Sequence, residues 1–298
     1  MCVTLHDASL GQTTIAGWRF HGRRTHCLLY GNEPRNRVTV PNAMILHIPI
    51  AHATVLSEAN FVPTRGLRHL LEDMWQAAPK FEERLERGGM FGAELAPKSI
   101  AVFDMGIYTV VAATRADAAD IAAALETVHP DRRPQISRAL IEFYLRTWPE
   151  DALVIACFNQ ASGQATEPIG VEFPPQDFDI LRMPATDAHG DIPDFDSPVP
   201  VLVHHRLIVG TDELGVGGRV SYREPGRMHP RLLEILPQRV VGAALLQIPM
   251  ANGDFYVDFT RFTQDRDGRE DRNGHVLRAH GPMLTERADR IPMLLASA

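Results

Sequence analysis

The sequence predicts an α+β fold with antiparallel-rich sheets and about three helices, for which a layered sandwich is one arrangement. Strand-like segments rich in Val, Ile, Thr and aromatic residues fill both ends of the chain, and the helical patterns are confined to its middle. Few strands alternate with helices, so a doubly wound parallel sheet is not expected. We assign residues 1–259 to a single domain and residues 260–298 to a polar C-terminal extension.

The first fifty residues predict an antiparallel start. The segments CVTLH, TTIAGWRF and THCLLYG are followed by RVTVPNAMILHIPIA, with turn-like polar stretches such as HGRR and GNEPRNR between them. Apolar and β-branched runs bounded by Gly, Asn and Pro are typical of strands and hairpins.

Three helices are predicted in the middle of the chain. The first covers residues 64–87, where Thr64 can cap it, Pro79 should kink it and a Gly-Gly pair follows it. The second begins after Thr114, and the third opens at Pro134. The intervening SIAVFDMGIYTVVAA reads as one strand.

The later part of the chain returns to strands. The candidates are DALVIACFNQ, EPIGVEF, VPVLVHHRLIVG, RVVGAALLQIP and DFYVDF. From Arg261 onward TQDRDGREDRNGH is charged and almost free of apolar residues, which predicts a loop or tail.

Composition excludes several classes of protein. The chain contains no run of about 18 apolar residues, so no membrane span is predicted. Its start lacks the basic and apolar regions of a signal peptide, so none is predicted. A net charge of −7 argues against a nucleic-acid partner, and three cysteines without a CxxC pair fit the reducing cytoplasm. Neither GxGxxG nor GxxxxGK[ST] occurs, so no cofactor is predicted. A small-molecule or peptide ligand and the oligomeric state stay open.

Cys2 is the first candidate catalytic residue. Removal of Met1 would leave a thiol and a free α-amine on one residue, and an α-amine pKa near ~7.7–8.0 suits a base at neutral pH. N-terminal-nucleophile hydrolases place such a residue at the start of a strand in an αββα sandwich, and CVTLH predicts a strand. The alternative is a small residue opening an ordinary edge strand. Cys27 and Cys157 lie in apolar runs, which predicts buried, unreactive thiols.

Histidines supply the second candidate site. Asp187 and His189 lie two residues apart, and His205 follows in the next predicted strand. A carboxylate and two imidazoles would suit zinc, because both are common ligands of that metal. The same residues are compatible with acid–base catalysis or with structural hydrogen bonding.

The order of segments resembles a family of bacterial proteins, without an assigned activity, that begin with Met-Cys. That family carries VFDxGxY, HP[IM]AFxFP, FPTxHxHDG and FDHxLY segments. The corresponding stretches here are VFDMGIY, EPIGVEFP, MPATDAHGD and VHHRLI. Asp187 stands where the family has the first His of HxH, and the HDG and FDH triplets also differ. The resemblance implies no reaction, but it points to Cys2, His189 and His205 as a set of candidate site residues.

Three classes of function follow, and the sequence leaves open whether the protein is an enzyme. The enzyme hypothesis is a cysteine-dependent hydrolase or transferase acting on an amide or ester, with Cys2 as nucleophile and His189 or His205 as acid–base group. The alternatives are a non-catalytic interaction or scaffold protein, and a metal-binding protein that uses Asp187, His189 and His205.

Overall fold

The computed structural model describes residues 3–4, 8–36, 39–81, 98–159, 166–189, 192–200, 205–245, 249–260, 273–279, 281–283 and 289–294. The strands of the first half are β1 (Val3–Thr4), β2 (Ala8–Phe20), β3 (Thr25–Asn36), β4 (Asn42–Ile48), β5 (Phe61–Val62), β6 (Lys80–Phe81), β7 (Ser99–Met105) and β8 (Tyr108–Thr114). Those of the second half are β9 (Ala152–Phe158), β10 (Ile169–Phe173), β11 (Ile180–Met183), β12 (Ala188–His189), β13 (Val199–Pro200), β14 (His205–Gly210), β15 (Gly218–Arg219), β16 (Arg239–Leu245), β17 (Pro249–Met250), β18 (Phe255–Asp258), β19 (Asn273–Arg278) and β20 (Asp289–Leu294).

Helices α1 (Leu70–Ala77), α2 (Ala118–Glu126), α3 (Arg138–Thr147) and α4 (Pro230–Ile235) complete the described elements. Most strand pairs are antiparallel, and the described parallel pairs are β1 with β12, β2 with β14, and β6 with β16. The predicted α+β class with antiparallel-rich sheets is therefore confirmed. Within the described ranges, no helix has the length and apolar character that crossing a bilayer requires.

The strands form two large sheets and two small ones. Sheet A has the order β12-β1-β4-β9-β8-β7, and sheet B has the order β15-β16-β14-β2-β3-β10-β5, with β6 added beside β16. Sheet C has the order β11-β18-β19-β20, and β13 pairs with β17. The N-terminal strand β1 thus lies inside sheet A, with Val3 opposite both Ile45 and Ala188.

Three apolar layers hold these elements together. Helices α2 and α3 pack Ile121, Leu140 and Tyr144 on one face of sheet A. The other face of sheet A packs against sheet B, and side chains of sheet C join this central core. Helices α1 and α4 cover the far face of sheet B. The order is helices, sheet, sheet, helices, and burial of apolar surface at about 25 cal/mol per Å² is the main force that holds it.

Local chemistry explains where the elements depart from the predicted pattern. Helix α1 stops at Ala77 because Ala78, which precedes Pro79, is extended with ψ 128°. The stretch predicted as one strand is the hairpin β7–β8, since Gly106 at φ +59° turns the chain. Helix α4 was not predicted; it is only six residues long, with His229 as its cap and Pro230 at its first position.

Part of the predicted C-terminal extension contributes strands. β19 pairs with β18 and with β20, and Val276 and Ile291 belong to the central core. The polar stretch at residues 261–272 lies outside the described residues, and the predicted domain boundary at residue 259 stays a prediction.

Candidate functional site

The structure describes the predicted site residues unequally. Cys2 lies outside the described residues, although Val3, to which it is bonded, is part of sheet A. His189 ends β12, where its backbone lies beside Thr4, and its side chain is outside the described part. His205 begins β14 in sheet B, is buried, and shares parity with Leu207, which faces the central core. His189 and His205 therefore lie on different sheets.

The third predicted zinc ligand, Asp187, is tied down through its backbone. Its N–H donates to Asn252 Oδ1 at 2.8 Å, and its carbonyl accepts from Asn252 Nδ2 at 2.9 Å. Among the described side chains, which exclude that of His189, no three His, Cys, Asp or Glu residues are arranged so that they could hold a metal ion. The zinc hypothesis for Asp187, His189 and His205 stays a prediction.

Cys27 and Cys157 are both fully buried. Burial raises the pKa of Cys27 well above its ordinary value and raises that of Cys157 to about 12. Since the thiolate is the reactive form, neither sulfur is suited to nucleophilic chemistry near neutral pH.

One group of buried charges contains none of the residues predicted from the sequence. His47 on β4 is 3% exposed; its Nδ1 lies 3.0 Å from Asp151 Oδ2 and its Nε2 3.2 Å from Asp254 Oδ1. Arg182 on β11 contacts Asp151, and its Nε lies 3.7 Å from Asp254 Oδ2. We call His47, Asp151, Arg182 and Asp254 the buried ion cluster. It joins sheet A to sheet C.

Opposite charges inside this cluster offset the cost of burying each other. Burial alone would raise the pKa of Asp151, but Arg182 and His47 outweigh it and hold that pKa below the usual 3.8. Burial opposes the charge on Arg182 as well, yet Asp151 and the other acidic groups nearby raise its pKa above the ordinary 12.5. Gln176 Nε2 donates to the remaining oxygen of Asp151 at 3.2 Å. Against the effect of burial, Asp254 and Asp151 also raise the pKa of His47 above the ordinary 6.5. With His47 protonated, the cluster holds two cations and two anions and has no net charge.

A short segment before β18, Asn252–Asp254, connects this cluster to the edge of sheet A. We call it the strap. Asp254 Oδ1 accepts from Ala185 N at 3.1 Å, and Asn252 brackets Asp187 from both sides as described above. A Cβ on Gly253 would come within 2.5 Å of Ala279 O, so only glycine fits this close backbone approach. The strap therefore holds the residues that lead directly into β12.

Signals for this cluster were weak in the sequence. His47 stands inside the apolar run NAMILHIPI, and Arg182 stands inside ILRMP. A polar residue in an apolar strand does indicate a buried polar partner, because unpaired burial is costly. The partner itself was not readable, since His47 and Asp151 lie 104 residues apart.

A second buried histidine behaves in the opposite way. His26 on β3 is fully buried, and its Nε2 donates to Phe178 O at 2.9 Å. Burial, followed by the positive charge of Arg19, lowers its pKa from 6.5 to about 4. Unlike at His47, the attraction of the nearby carboxylate, that of Asp179, is too weak to offset these effects.

We expect His26 to make the protein less stable in acid. In the unfolded chain this histidine takes up a proton near pH 6.5, whereas in the folded chain it does so only near pH 4. The free energy of unfolding should therefore fall by at most about 3 kcal/mol as pH drops through this window. The measurement is the free energy of unfolding by urea, for wild type and His26→Gln, at several pH values in this window. A wild-type slope that the variant retains would assign the acid sensitivity to other groups.

A small apolar cavity lies between sheets A and B, lined by side chains that include Leu28, Leu46, Phe61 and Val154. Its volume is about 20 Å³, which is room for one water molecule and not for an organic ligand.

The chain matches known proteins in structure and not in sequence. No protein-family model matches the chain, and no curated protein sequence matches it, so the resemblance to the Met-Cys bacterial family stays a prediction. Among solved structures, baculovirus P35 is 13% identical over 100% of both chains, with a TM-score of 0.40. The P35 chain of a caspase-8/P35 complex is 10% identical over 96% of both chains, with a TM-score of 0.36. At TM-scores this low the likeness assigns neither a fold family nor a partner to this chain.

Proposed function

We propose that the protein acts through Cys2 as an N-terminal nucleophile on the acyl carbon of an amide or ester. The observation that carries the proposal is the position of β1, which pairs with β4 and β12 inside sheet A of the four-layer sandwich. Cys2 is bonded to the first residue of this strand. Helices, sheet, sheet and helices in that order are the setting in which hydrolases of this type carry their nucleophile. A shared architecture supports this function only together with the site chemistry, which the experiment below addresses.

The proposed chemistry uses groups of one residue. Once Met1 is removed, the α-amine accepts the thiol proton, and Sγ forms a bond to the carbonyl carbon. Collapse of the tetrahedral adduct breaks the bond to the leaving amine or alcohol, which takes the proton from the α-ammonium. Water then attacks the thioester carbon, the C–S bond breaks, and the carboxylic acid leaves while the thiol is regenerated. His189 or His205 is the proposed additional acid–base group.

Alkylation and acylation of the intact protein test this proposal. We expect Met1 to be absent by intact mass, and iodoacetamide near neutral pH to label Cys2 at least about tenfold faster than Cys27 or Cys157. We also expect p-nitrophenyl acetate to leave an acetyl group on Cys2, detected by peptide mass mapping. The Cys2→Ser variant is the matched control, because its hydroxyl is not labelled by iodoacetamide.

Other outcomes would redirect the assignment. Retained Met1, or labelling of Cys2 no faster than in the denatured chain, overturns the proposal and favours a non-catalytic interaction protein. Stoichiometric zinc in protein purified without added metal, lost on His189→Ala, favours the metal-binding alternative instead.

A further inference from the structure

The His47 ring lies between two carboxylates, one at each ring nitrogen. An ionised carboxylate accepts hydrogen bonds and attracts positive charge, so carboxylates at both nitrogens favour the doubly protonated ring. Asp151 Oδ2 lies 3.0 Å from Nδ1 and Asp254 Oδ1 lies 3.2 Å from Nε2. Nδ1 is at hydrogen-bonding distance from Asp151, and Nε2 faces Asp254 as an ion pair without a well-aligned hydrogen bond. Two carboxylates this close favour the charged ring, a buried imidazolium. Such a ring has no free lone pair and cannot serve as a catalytic base in this arrangement.

The aromatic neighbours of the ring exclude water from it and add no charge. Trp148 stacks on it with ring centroids 3.8 Å apart and planes 13° apart, and the Tyr144 ring lies 6.2 Å away. From sheet C, Arg182 faces both carboxylates, and burial raises the pKa of Tyr256, so that phenol stays neutral. Loss of the His47 proton would leave Asp151 and Asp254 with Arg182 alone, a buried net charge of −1.

Of the two carboxylates that flank His47, Asp254 is the one linked to other elements of the fold. Asp151 directly precedes β9 in the middle of sheet A and keeps its contacts to Arg182 and Gln176. Asp254 belongs to the strap, which holds Ala185 and Asp187, and these residues lead into β12 beside β1. The element that can yield is therefore the strap together with the edge of sheet A.

We propose that the buried ion cluster is a proton-controlled latch, closed while His47 is charged, which holds the strap and β12 against the N-terminal strand of sheet A. This inference uses described residues only and does not depend on the chemistry proposed for Cys2.

The direction of the pH response follows from linkage. Burial opposes the charge on His47, but Asp254 and Asp151 outweigh it and raise its pKa above the ordinary 6.5. A histidine whose pKa is raised by folding contributes stability that is fully present below the unfolded pKa. That contribution is lost as pH rises through the folded pKa, so the latch opens on the alkaline side. His26, whose pKa is lowered, responds only on the acid side and is a matched control.

Hydrogen exchange of the full chain, read by mass spectrometry and corrected for intrinsic rates, tests the latch. Between about pH 6 and about pH 8.5 we expect protection in residues 185–189 and 252–258 to fall about tenfold more than in β8 and β9. In His47→Gln the same segments should be weakly protected at both pH values. His26→Gln should keep the wild-type response. Equal loss in all strands, or no loss in wild type, overturns the proposal.

Two further measurements keep the test decisive if His47→Gln does not fold. Asn252→Ala removes the bonds to Asp187 but leaves the ion cluster, so residues 185–189 should lose protection at both pH values while residues 254–258 keep their pH response. Site-resolved exchange of the histidine C2 hydrogens gives the pKa of each ring directly. A value for His47 at or below the ordinary 6.5 overturns the latch.

Discussion

Replacing Arg182 by methionine should lower the free energy of unfolding by about 3–5 kcal/mol near neutral pH. The guanidinium contacts Asp151 and lies 3.7 Å from Asp254, and its loss leaves two buried carboxylates with His47 as their sole cation within the cluster. An uncompensated buried charge costs far more than a lost surface contact, because no water replaces the missing partner. Urea denaturation with a shared m-value is the measurement.

Arg138→Met is the matched control for this substitution. Arg138 pairs with Glu142 one helical turn away on α3, with Nε 2.7 Å from Oε1, but both side chains are exposed. We expect its loss to leave the free energy of unfolding almost unchanged, because water solvates both groups. If Arg182→Met costs as little as Arg138→Met, the charges of the buried cluster do not stabilise the fold.

Glu172→Gln should cost about 3 kcal/mol, the second large effect. The Glu172 carboxylate on β10 is buried and accepts from Arg23 at 2.8 Å, Thr25 at 2.9 Å and Arg231 at 3.1 Å. The glutamine keeps the shape but not the charge, so Arg231 loses its anion and Arg23 keeps that of Glu234 alone. Both changes fall where the β2–β3 turn meets α4. Chemical denaturation of Glu172→Gln beside Glu142→Gln, whose carboxylate is exposed, checks the value.

The pH dependence gives a second readout for Glu172. Burial alone would raise its pKa, but the hydrogen bonds from Arg23, Thr25 and Arg231 outweigh it and hold the pKa below the usual 4.5. Its contribution is therefore present above the unfolded pKa and is lost as pH falls through the lower folded value. In Glu172→Gln this acid-dependent loss should disappear. A variant that keeps the wild-type acid profile would contradict the assignment.

Secondary structure was largely readable from local patterns. The polar HGRR stretch predicts the turn between β2 and β3, and the ladder runs through Phe20 and Thr25 on either side of it. The limit of such reading is the turn at Gly106, because a single glycine between two apolar runs is compatible with one long strand as well as with a hairpin. The hairpin is selected by pairing of β8 with β9, a contact between distant parts of the chain.

The candidate sites also differ in whether neighbouring residues in the sequence could reveal them. The chemical character of Cys2, and the buried, unreactive settings of Cys27 and Cys157, could be argued from neighbours in the sequence, and burial of the latter two is confirmed. The buried ion cluster could not be predicted in this way, because its members lie far apart in the sequence: in β4, before β9, in β11 and before β18.

What the sequence by itself determined is therefore the α+β class, the strand-rich segments on either side of the middle helices, those helices, and the apolar surroundings of two thiols. These depend on residue periodicity and local turn chemistry, which act over a few positions. Only the tertiary structure decided the four-layer order, the separation of His189 and His205 onto different sheets, and the meeting of His47 with Asp151 and Asp254. A buried charge is stable only beside its counter-charges, and folding, rather than sequence proximity, brings those together.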